Sequence, residues 1–209
     1  MYYRGDYMDL IYYICKRNKT VGEEKYKEEL TNFILMENNI HIIEALTSNE
    51  TDTIESLAHT IWNEHYSSIL SKQQIEYMTS RFQSAAAINA QIKDGNCSYF
   101  LLYKDSLQNA VGYIGVKFEE ENLFLSKLYI LKSTRGTGAG RMAFEFLKSL
   151  ALEKNLRKIW LTVNKYNKDT IKIYEHLGFA ITREQVADIG NGYVMDDYIM
   201  EYNLENHKI

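Results

Sequence analysis

The glycine-rich segment at residues 135–140 (Arg-Gly-Thr-Gly-Ala-Gly) constrains the fold of this 209-residue chain more than any other stretch. It follows an apolar, strand-like run over 123–131 and leads into an amphipathic helical pattern over 141–155. Because glycine has no Cβ, a ligand can approach such a turn closely. Unpaired N–H groups and the positive end of the helix dipole would meet at the same point. The sequence therefore predicts a phosphate-binding turn between a strand and a helix.

The remainder of the chain alternates between strand-like and helical patterns, and 45% of its residues are apolar, which is enough for a core. Strands are expected at 40–46, 98–104, 110–118, 123–131, 158–163, 179–187 and 192–202. Helices are expected from a capping box at Asp52 to Tyr66, from Ser71 to Asp94 with a break near 80–84, over 141–155 and over 168–177. We therefore predict an α/β (mixed α+β) domain over residues 36–209, with helices on both faces of a mixed sheet.

Residues 1–35 are predicted to form an extension outside that domain. Tyr26, Leu30, Phe33 and Ile34 lie at helical spacing, which indicates an amphipathic helix. Two interpretations remain open for this segment. It is either a loosely packed extension or a helix that docks on the domain or on a second copy of the chain, which would make a homodimer.

Charge and cysteine usage narrow the class of protein. The net charge is −4, whereas a nucleic-acid-binding protein is usually basic. No apolar run approaches the roughly 20 residues that span a bilayer. Cys15 and Cys97 are far apart and show no metal-ligand spacing, which favours a reducing compartment. We expect a cytoplasmic protein that binds no nucleic acid, membrane or metal.

Two familiar phosphate-binding motifs do not fit the glycine segment. The P-loop requires Lys and then Ser or Thr after its last glycine, but Gly140 is followed by Arg141 and Met142. The dinucleotide fingerprint G-x-G-x-x-G would need a third glycine where Arg141 stands. It would also need an acidic residue after the next strand, where the chain has Asn164.

The segment instead resembles the R/Q-x-x-G-x-G/A signature of the GNAT superfamily of N-acetyltransferases. Residues 167–179 resemble the family's next motif, N-x-x-A-x-x-x-Y-x-x-x-G-F, with Thr170 in place of alanine. The resemblance covers about residues 40–202 and implies a mostly antiparallel sheet of about seven strands, flanked by helices and splayed at the acetyl-CoA site. Within the superfamily, the helical stretch 58–71 looks most similar to bacterial polyamine-type or uncharacterised members.

This resemblance implies direct transfer of acetyl from the cosubstrate acetyl-CoA to a primary amine of a small, polyamine-like molecule or of a protein. The glycine turn would bind the pyrophosphate, and the strand before it would bind the pantetheine arm and polarise the thioester carbonyl. Asn167 would hydrogen-bond the arm, or it would serve only as a helix cap. The predicted acetyl-CoA-binding residues are Leu128, Tyr129, Ile130, Arg135, Gly136, Thr137, Gly138, Ala139, Gly140, Arg141 and Asn167.

Tyr174 is the predicted catalytic residue, as proton donor to the departing thiolate. A free tyrosine has a pKa of about 10 and a thiol about 8.5, so full proton transfer would be uphill by about 2 kcal/mol. The pKa of Tyr174 must therefore be lowered, or the residue must act mainly as a hydrogen-bond donor. The alternative is a tyrosine that only packs in the core.

The general base stays open at the level of sequence. Ser126 stands where polyamine acetyltransferases tend to place a glutamate, and a serine cannot accept a proton at neutral pH. The candidates are Glu64, His65, the run Glu119 to Glu121, Asp196 and Asp197, or a relay of water. Without a base, the alternative function is an acyl-CoA-binding module with little catalysis.

Overall fold

The computed structural model describes residues 39–94 and 97–205, so the predicted helical extension over residues 1–35 lies outside the described residues. The strands are β1 (Ile40–Glu44), β2 (Cys97–Lys104), β3 (Ala110–Phe118), β4 (Asn122–Ile130), β5 (Lys158–Asn164), β6 (Ala180–Gly190) and β7 (Tyr193–Asn203). The helices are α1 (Ser48–Tyr66), α2 (Lys72–Phe82), α3 (Ala85–Lys93), α4 (Ala139–Glu153) and α5 (Lys168–His176). None of the helices in these two ranges combines the length and the apolar character needed to cross a bilayer.

The strands form a seven-stranded sheet in the order β1-β2-β3-β4-β5-β7-β6. Neighbouring strands are antiparallel except for β4 and β5, which run parallel. The predicted fold class, an α/β mixture with a mostly antiparallel sheet of about seven strands, is confirmed.

Helix α1 begins at Ser48, so the predicted start at Asp52 was wrong. The capping box lies one turn earlier, where the backbone N–H of Thr47 donates to the Glu50 carboxylate at 2.8 Å. Hydrogen bonds from the backbone N–H groups of Thr47 and Leu46 lower the pKa of that carboxyl. The sequence offers two capping patterns here, Thr47-x-x-Glu50 and Asp52-x-x-Glu55, and the helix begins at the earlier one. Thr51, in the first turn of α1, is buried.

The predicted break near 80–84 is confirmed, because α2 ends at Phe82 and α3 begins at Ala85. Ser84 occupies the N-cap of α3, and its hydroxyl accepts a hydrogen bond from the Ala87 N–H at 3.3 Å. The two short helices therefore cross the same face of the sheet as α1 without forming one rigid rod.

Buried apolar side chains cover both faces of the sheet. One cluster lies on the side of α4 and α5 and includes Ile114, Leu147 and Phe179. The other lies on the side of α1, α2 and α3 and includes Ile54 and Tyr113. Because both faces of the sheet are covered in the described residues, a separation of neighbouring strands gives a ligand access to the sheet backbone.

Such a separation occurs between β4 and β5. The two strands pair only from Asn122 to Phe124 on β4, opposite Lys158 to Trp160 on β5. Beyond these residues the strands diverge, which confirms the predicted splay. The parallel pair therefore forms the closed end of a wedge.

A β-bulge at Ser126 reorients the open half of β4. Gly115 of β3 lies opposite Lys127, and Val116 lies opposite Leu125, so Ser126 is the extra residue. Leu125 and, after the bulge, Leu128 both pack on the α4 side of the sheet. The bulge thus places Lys127 and Tyr129 on the opposite side, towards α1, α2 and α3, where Lys127 contacts Tyr99 and Tyr129 joins the second cluster.

Candidate active site

The wedge between β4 and β5 opens into a cavity of about 1130 Å³. It is lined by residues 125–130 of β4 and 161–164 of β5, with further residues from α1, α2, α3, α5 and the β6–β7 hairpin. In the described part of the chain, no three His, Cys, Asp or Glu side chains group in a way that could hold a metal ion. The volume slightly exceeds that of a typical small-molecule pocket, so a long organic ligand would fit.

The glycine turn lies beside this cavity and leads into α4. Gly136 and Gly138 have φ values of +78° and +89°, and a Cβ added at either would meet nothing within 4 Å. The turn therefore needs glycine for its left-handed backbone rather than for space. The first hydrogen bond of α4 runs from Met142 N to Gly138 O at 3.0 Å. The N–H groups of residues 139–141 precede this bond and point out of the helix N-terminus.

The residues of the turn divide into two groups. Arg135, Gly136, Gly140 and Arg141 line the cavity. Thr137, Gly138 and Ala139 complete the turn without lining it, and Ala139 is buried against Ile40. The Thr137 hydroxyl donates to the Thr134 carbonyl at 2.8 Å, which holds the turn in place.

Arg135 connects the turn to β4 and α1. Its Nε donates to the Ile130 carbonyl at 3.2 Å, and its Nη1 lies 3.5 Å from Nδ1 of His65. Burial and then the Arg135 charge lower the pKa of His65 below its usual value near 6.5. The imidazole is therefore neutral at physiological pH, and Arg135 carries the positive charge at this point.

The strand predicted to bind the cofactor arm forms one edge of the wedge. Leu128, Tyr129 and Ile130 all line the cavity. On one side their backbone pairs with β3, opposite Ile114, Tyr113 and Gly112. The pairing with β5 has already ended at Phe124. The other edge of β4 therefore presents N–H and C=O groups that an extended ligand can pair with as an added strand.

Asn167 occupies the N-cap position of α5, but its side chain makes no capping hydrogen bond. Its backbone carbonyl accepts the first helical bond from Ile171 N at 3.1 Å. The side chain is buried and lines the cavity. Burial lowers the pKa of His65 and raises that of Tyr66, and hydrogen bonding to Asn167 offsets part of each shift. The structure therefore argues against a purely capping role, and ligand binding by Asn167 stays a prediction.

Tyr174 lines the cavity from α5 and is 8% exposed. Its ring packs edge-on against Phe179, with the ring centres 5.3 Å apart. Burial, and then the neighbouring Tyr66, raise the pKa of Tyr174 above its usual value. Of the two alternatives for this residue, a lowered pKa is therefore not seen in the protein without ligand. Hydrogen-bond donation to a thiolate stays a prediction, beside the alternative of a tyrosine that only packs in the core.

An aromatic cluster between α1 and β4 was missed by the sequence reasoning. Trp62 lies 4.6 Å from Tyr66 and 5.6 Å from Tyr129, and Tyr129 lies 5.4 Å from Tyr113, between ring centres. The i, i+4 spacing of Trp62 and Tyr66 was a signal that both project from one face of α1. What they pack against depends on the β4 bulge, which has no local signature in the sequence.

Two of the candidate bases line the cavity, His65 and Asp197. Four of the other candidates have their carboxylates engaged by nearby donors. Glu64 contacts the Lys132 N–H at 3.4 Å, and Glu119 contacts Trp160 Nε1 at 2.9 Å. Glu121 pairs with Arg157 at 3.1 Å, and Asp196 pairs with Lys165 at 2.6 Å. Glu120 is exposed in the turn between β3 and β4. His65 and Asp197 are thus the candidate side chains that line the cavity, and a relay of water stays open beside them.

Asp197 has the more unusual environment of the two. It lies on β7 opposite Asn164 of β5, and 7% of its surface is exposed. Within residues 39–94 and 97–205, its Oδ1 is buried and finds no hydrogen-bond partner. Burial and then Asp196 raise the pKa of Asp197 to about 6, partly offset by Lys165. The group is ionised at neutral pH and has an oxygen available to accept a proton.

Comparison with known proteins gives a consistent result for sequence and fold. Residues 54–179 match the model of the acetyltransferase (GNAT) family. Uncharacterized N-acetyltransferases of Mycobacterium bovis and Mycobacterium tuberculosis are 30% identical over 95 residues, which are 45% of this chain and 60% of each relative. The match thus spans less than two thirds of these curated relatives.

Two solved structures show the same fold. The PaiA N-acetyltransferase of Thermoplasma acidophilum in complex with coenzyme A has a TM-score of 0.66 and 20% identity, covering 78% of this chain and 98% of its own. A chimera of the Vibrio cholerae spermidine N-acetyltransferase SpeG has a TM-score of 0.60 and 18% identity, covering 81% of this chain and 98% of its own. At these identities the likeness concerns the fold.

Proposed function

The chain belongs to the acetyltransferase (GNAT) family, and on that premise we propose that it transfers acetyl from acetyl-CoA directly to a primary amine of a small molecule or a protein. The observation that carries this proposal is the N-terminus of α4 beside the wedge between β4 and β5. A helix N-terminus preceded by glycines binds phosphate, and an open strand edge binds an extended amide chain. Coenzyme A has both groups.

The cofactor would use the turn and the strand together. The pyrophosphate would accept hydrogen bonds from N–H groups of residues 136–141, with Arg135 and Arg141 as counter-charges. The pantetheine arm would pair with the backbone of residues 128–130, and Asn167 would hydrogen-bond it. One N–H of this strand would polarise the thioester carbonyl as charge develops on its oxygen.

The transfer forms a C–N bond and breaks the C–S bond of the thioester. The amine must be neutral when it attacks, so one proton leaves the nitrogen, and the departing thiolate is stabilised by a hydrogen bond or a proton. Tyr174 supplies that hydrogen bond to sulfur from α5. Asp197 accepts the proton from nitrogen, because its Oδ1 is buried in the cavity wall without a donor from the described chain. A carboxyl with a pKa near 6 is about nine-tenths ionised at pH 7.

The acceptor belongs to one of the amine classes that the resemblance implies. A structural neighbour is a spermidine N-acetyltransferase by its name, which puts a polyamine-like small amine among the options. Ser126, which lies at the bulge beside the cavity, cannot replace a glutamate base. If Asp197 does not act as base, the second candidate function is an acyl-CoA-binding module.

Thiol release from acetyl-CoA with a panel of primary amines tests this proposal. We expect amine-dependent release by the wild type, loss of most turnover in Tyr174→Phe, and unchanged acetyl-CoA binding by calorimetry. Tyr166→Phe is a matched control, because Tyr166 is 70% exposed just before α5. Tight acetyl-CoA binding with no turnover on any amine would instead identify a binding module. Full turnover by Tyr174→Phe across the pH range would remove this residue from the mechanism.

A further inference from the structure

Lys127 is a buried cation in the wall of the cavity. It is 6% exposed, and its Nζ lies 3.1 Å from the Ser126 hydroxyl and 5.2 Å from the centre of the Tyr99 ring. In the described part of the chain, Lys127 forms no ion pair with a carboxylate. Burying a charge without a counter-ion is unfavourable, so an ammonium here favours an anion in the cavity.

The fold makes room for this side chain. Gly115 lies opposite Lys127 on β3, and a Cβ at Gly115 would lie 3.2 Å from Cδ of Lys127 and 3.0 Å from Cε1 of Tyr99. The absence of a side chain at Gly115 therefore leaves room for the aliphatic part of the Lys127 side chain. The bulge at Ser126 turns the same side chain towards α2 and α3. Both features hold an ammonium in the part of the cavity that those helices line.

Further hydrogen-bond donors lie in that part of the cavity. Gln83 and Gln91 line it, and the side-chain oxygen of each accepts a tyrosine hydroxyl, from Tyr113 at 3.2 Å and from Tyr99 at 2.7 Å. Because the oxygens are engaged, each amide keeps its NH₂ group as a donor. Lys127 and the two amides are donors that suit an acceptor group such as a carboxylate.

The carboxylates of the cavity wall are few. Within the described residues, the cavity is lined by two of them, Asp169 at the start of α5 and Asp197 on β7. A polyamine brings several ammonium groups, and each of them needs an acceptor or an anion when it is buried. Lys127 would repel such a group rather than pair with it.

We propose that the acceptor is a primary amine that also carries a carboxylate, as an amino acid does, and that Lys127 binds this carboxylate. A monoanion matches the single charge of Lys127, and the NH₂ groups of Gln83 and Gln91 supply further donors. Asp197 then faces the amine of the same molecule, so the two charges of a zwitterion meet opposite charges on the wall. This inference rests on the proposed acetyl transfer, which it deepens by naming the class of acceptor.

Matched acceptor pairs test the inference. Each amino acid is compared with the amine that remains after its carboxylate is removed, for example ornithine with putrescine and phenylalanine with phenethylamine. We expect higher kcat/KM for the amino acids. Lys127→Met should raise their KM by about 10- to 100-fold, because a hydrogen-bonded charge loses its partner, with little effect on the decarboxylated amines. Lys127→Arg should retain part of the preference.

The control is Lys117→Met, the same substitution at an exposed position of β3, which should change neither activity nor preference. A wild-type preference for the decarboxylated amines would overturn the inference and leave acetyl transfer intact. An equal effect of Lys127→Met on both members of each pair would also overturn the inference and leave acetyl transfer intact.

A second measurement needs no turnover. N-acetyl amino acids and the matching N-acetylated amines are titrated calorimetrically into the protein saturated with coenzyme A. We expect tighter binding of the carboxylate-bearing products by at least about tenfold, lost in Lys127→Met. If this binding occurs but no amine is acetylated, the proposed function fails while the carboxylate site stands. If the two kinds of product bind equally, the carboxylate site is refuted.

Discussion

Replacing Lys127 by methionine should stabilise the protein at neutral pH, although it impairs the proposed acceptor site. Burial lowers the pKa of Lys127 from 10.5 to about 8. At about 1.4 kcal/mol per unit, the folded state bears a penalty of about 3 kcal/mol while the lysine is charged. The Ser126 hydrogen bond and the Tyr99 ring contact each offset about 0.5–1 kcal/mol of this penalty, and methionine loses both. We therefore expect a net gain of about 1–2 kcal/mol in the free energy of unfolding.

The direction of the pKa shift determines how the stabilisation by Lys127→Met depends on pH. Because the pKa is lower in the folded state, the penalty is complete below about pH 8, where both states hold the proton. Between pH 8 and 10.5 the folded state loses the proton first, so wild-type stability from this group rises with pH. The advantage of Lys127→Met should therefore be largest at neutral pH and should shrink towards about pH 10.

Urea denaturation at neutral pH and near pH 10 measures both quantities, with Lys117→Met as the exposed control, which should change stability by no more than about 0.5 kcal/mol. A gain of 1–2 kcal/mol corresponds to a rise in Tm of roughly 2–8 °C for a chain of this size. Destabilisation at neutral pH would contradict a penalty from the buried charge of Lys127. So would a gain of equal size at both pH values, because it would come from apolar packing rather than from removal of a buried charge.

Two further predictions concern the glycine turn and the proposed base. Gly138→Ala should destabilise the fold by about 1 kcal/mol because its φ is +89°. Gly140→Ala, inside α4 and without positive φ, should stabilise it by up to about 1 kcal/mol. Calorimetry should show weaker acetyl-CoA binding for both, and unchanged affinity in both would contradict a pyrophosphate site at this turn. Asp197→Asn should lower kcat by about 10²–10⁴-fold and abolish an acidic limb near pH 6 in the pH profile of kcat/KM. Asp196→Asn should shift that limb to lower pH, because Asp196 raises the pKa of Asp197. An acidic limb that persists in Asp197→Asn would exclude Asp197 as the base.

Structural features that are set by residues close together in the sequence could be predicted from the sequence. The alternation of apolar residues placed all seven strands, and the break near 80–84 and the end of the last helix at 177 were predicted within a few residues. The glycines of residues 135–140 indicated a strand–turn–helix junction, since the left-handed backbone of Gly136 and Gly138 is a property of the turn itself. The start of helix α1 was predicted one turn too late because two capping patterns, at Thr47 and at Asp52, satisfy the same local rule.

Features that depend on distant neighbours were decided by the tertiary structure. The extra residue at Ser126 exists only relative to β3, and it determines which face of the sheet receives Lys127. Asp197 was one of several acidic candidates in the sequence, and its burial on β7 beside the wedge separates it from Asp196, which pairs with Lys165. The helices, the strands and the glycine turn could thus be predicted from the sequence alone, because backbone conformation is set locally. Only the fold decided which charges are buried and unpaired, because desolvation depends on atoms that the rest of the chain brings to the site.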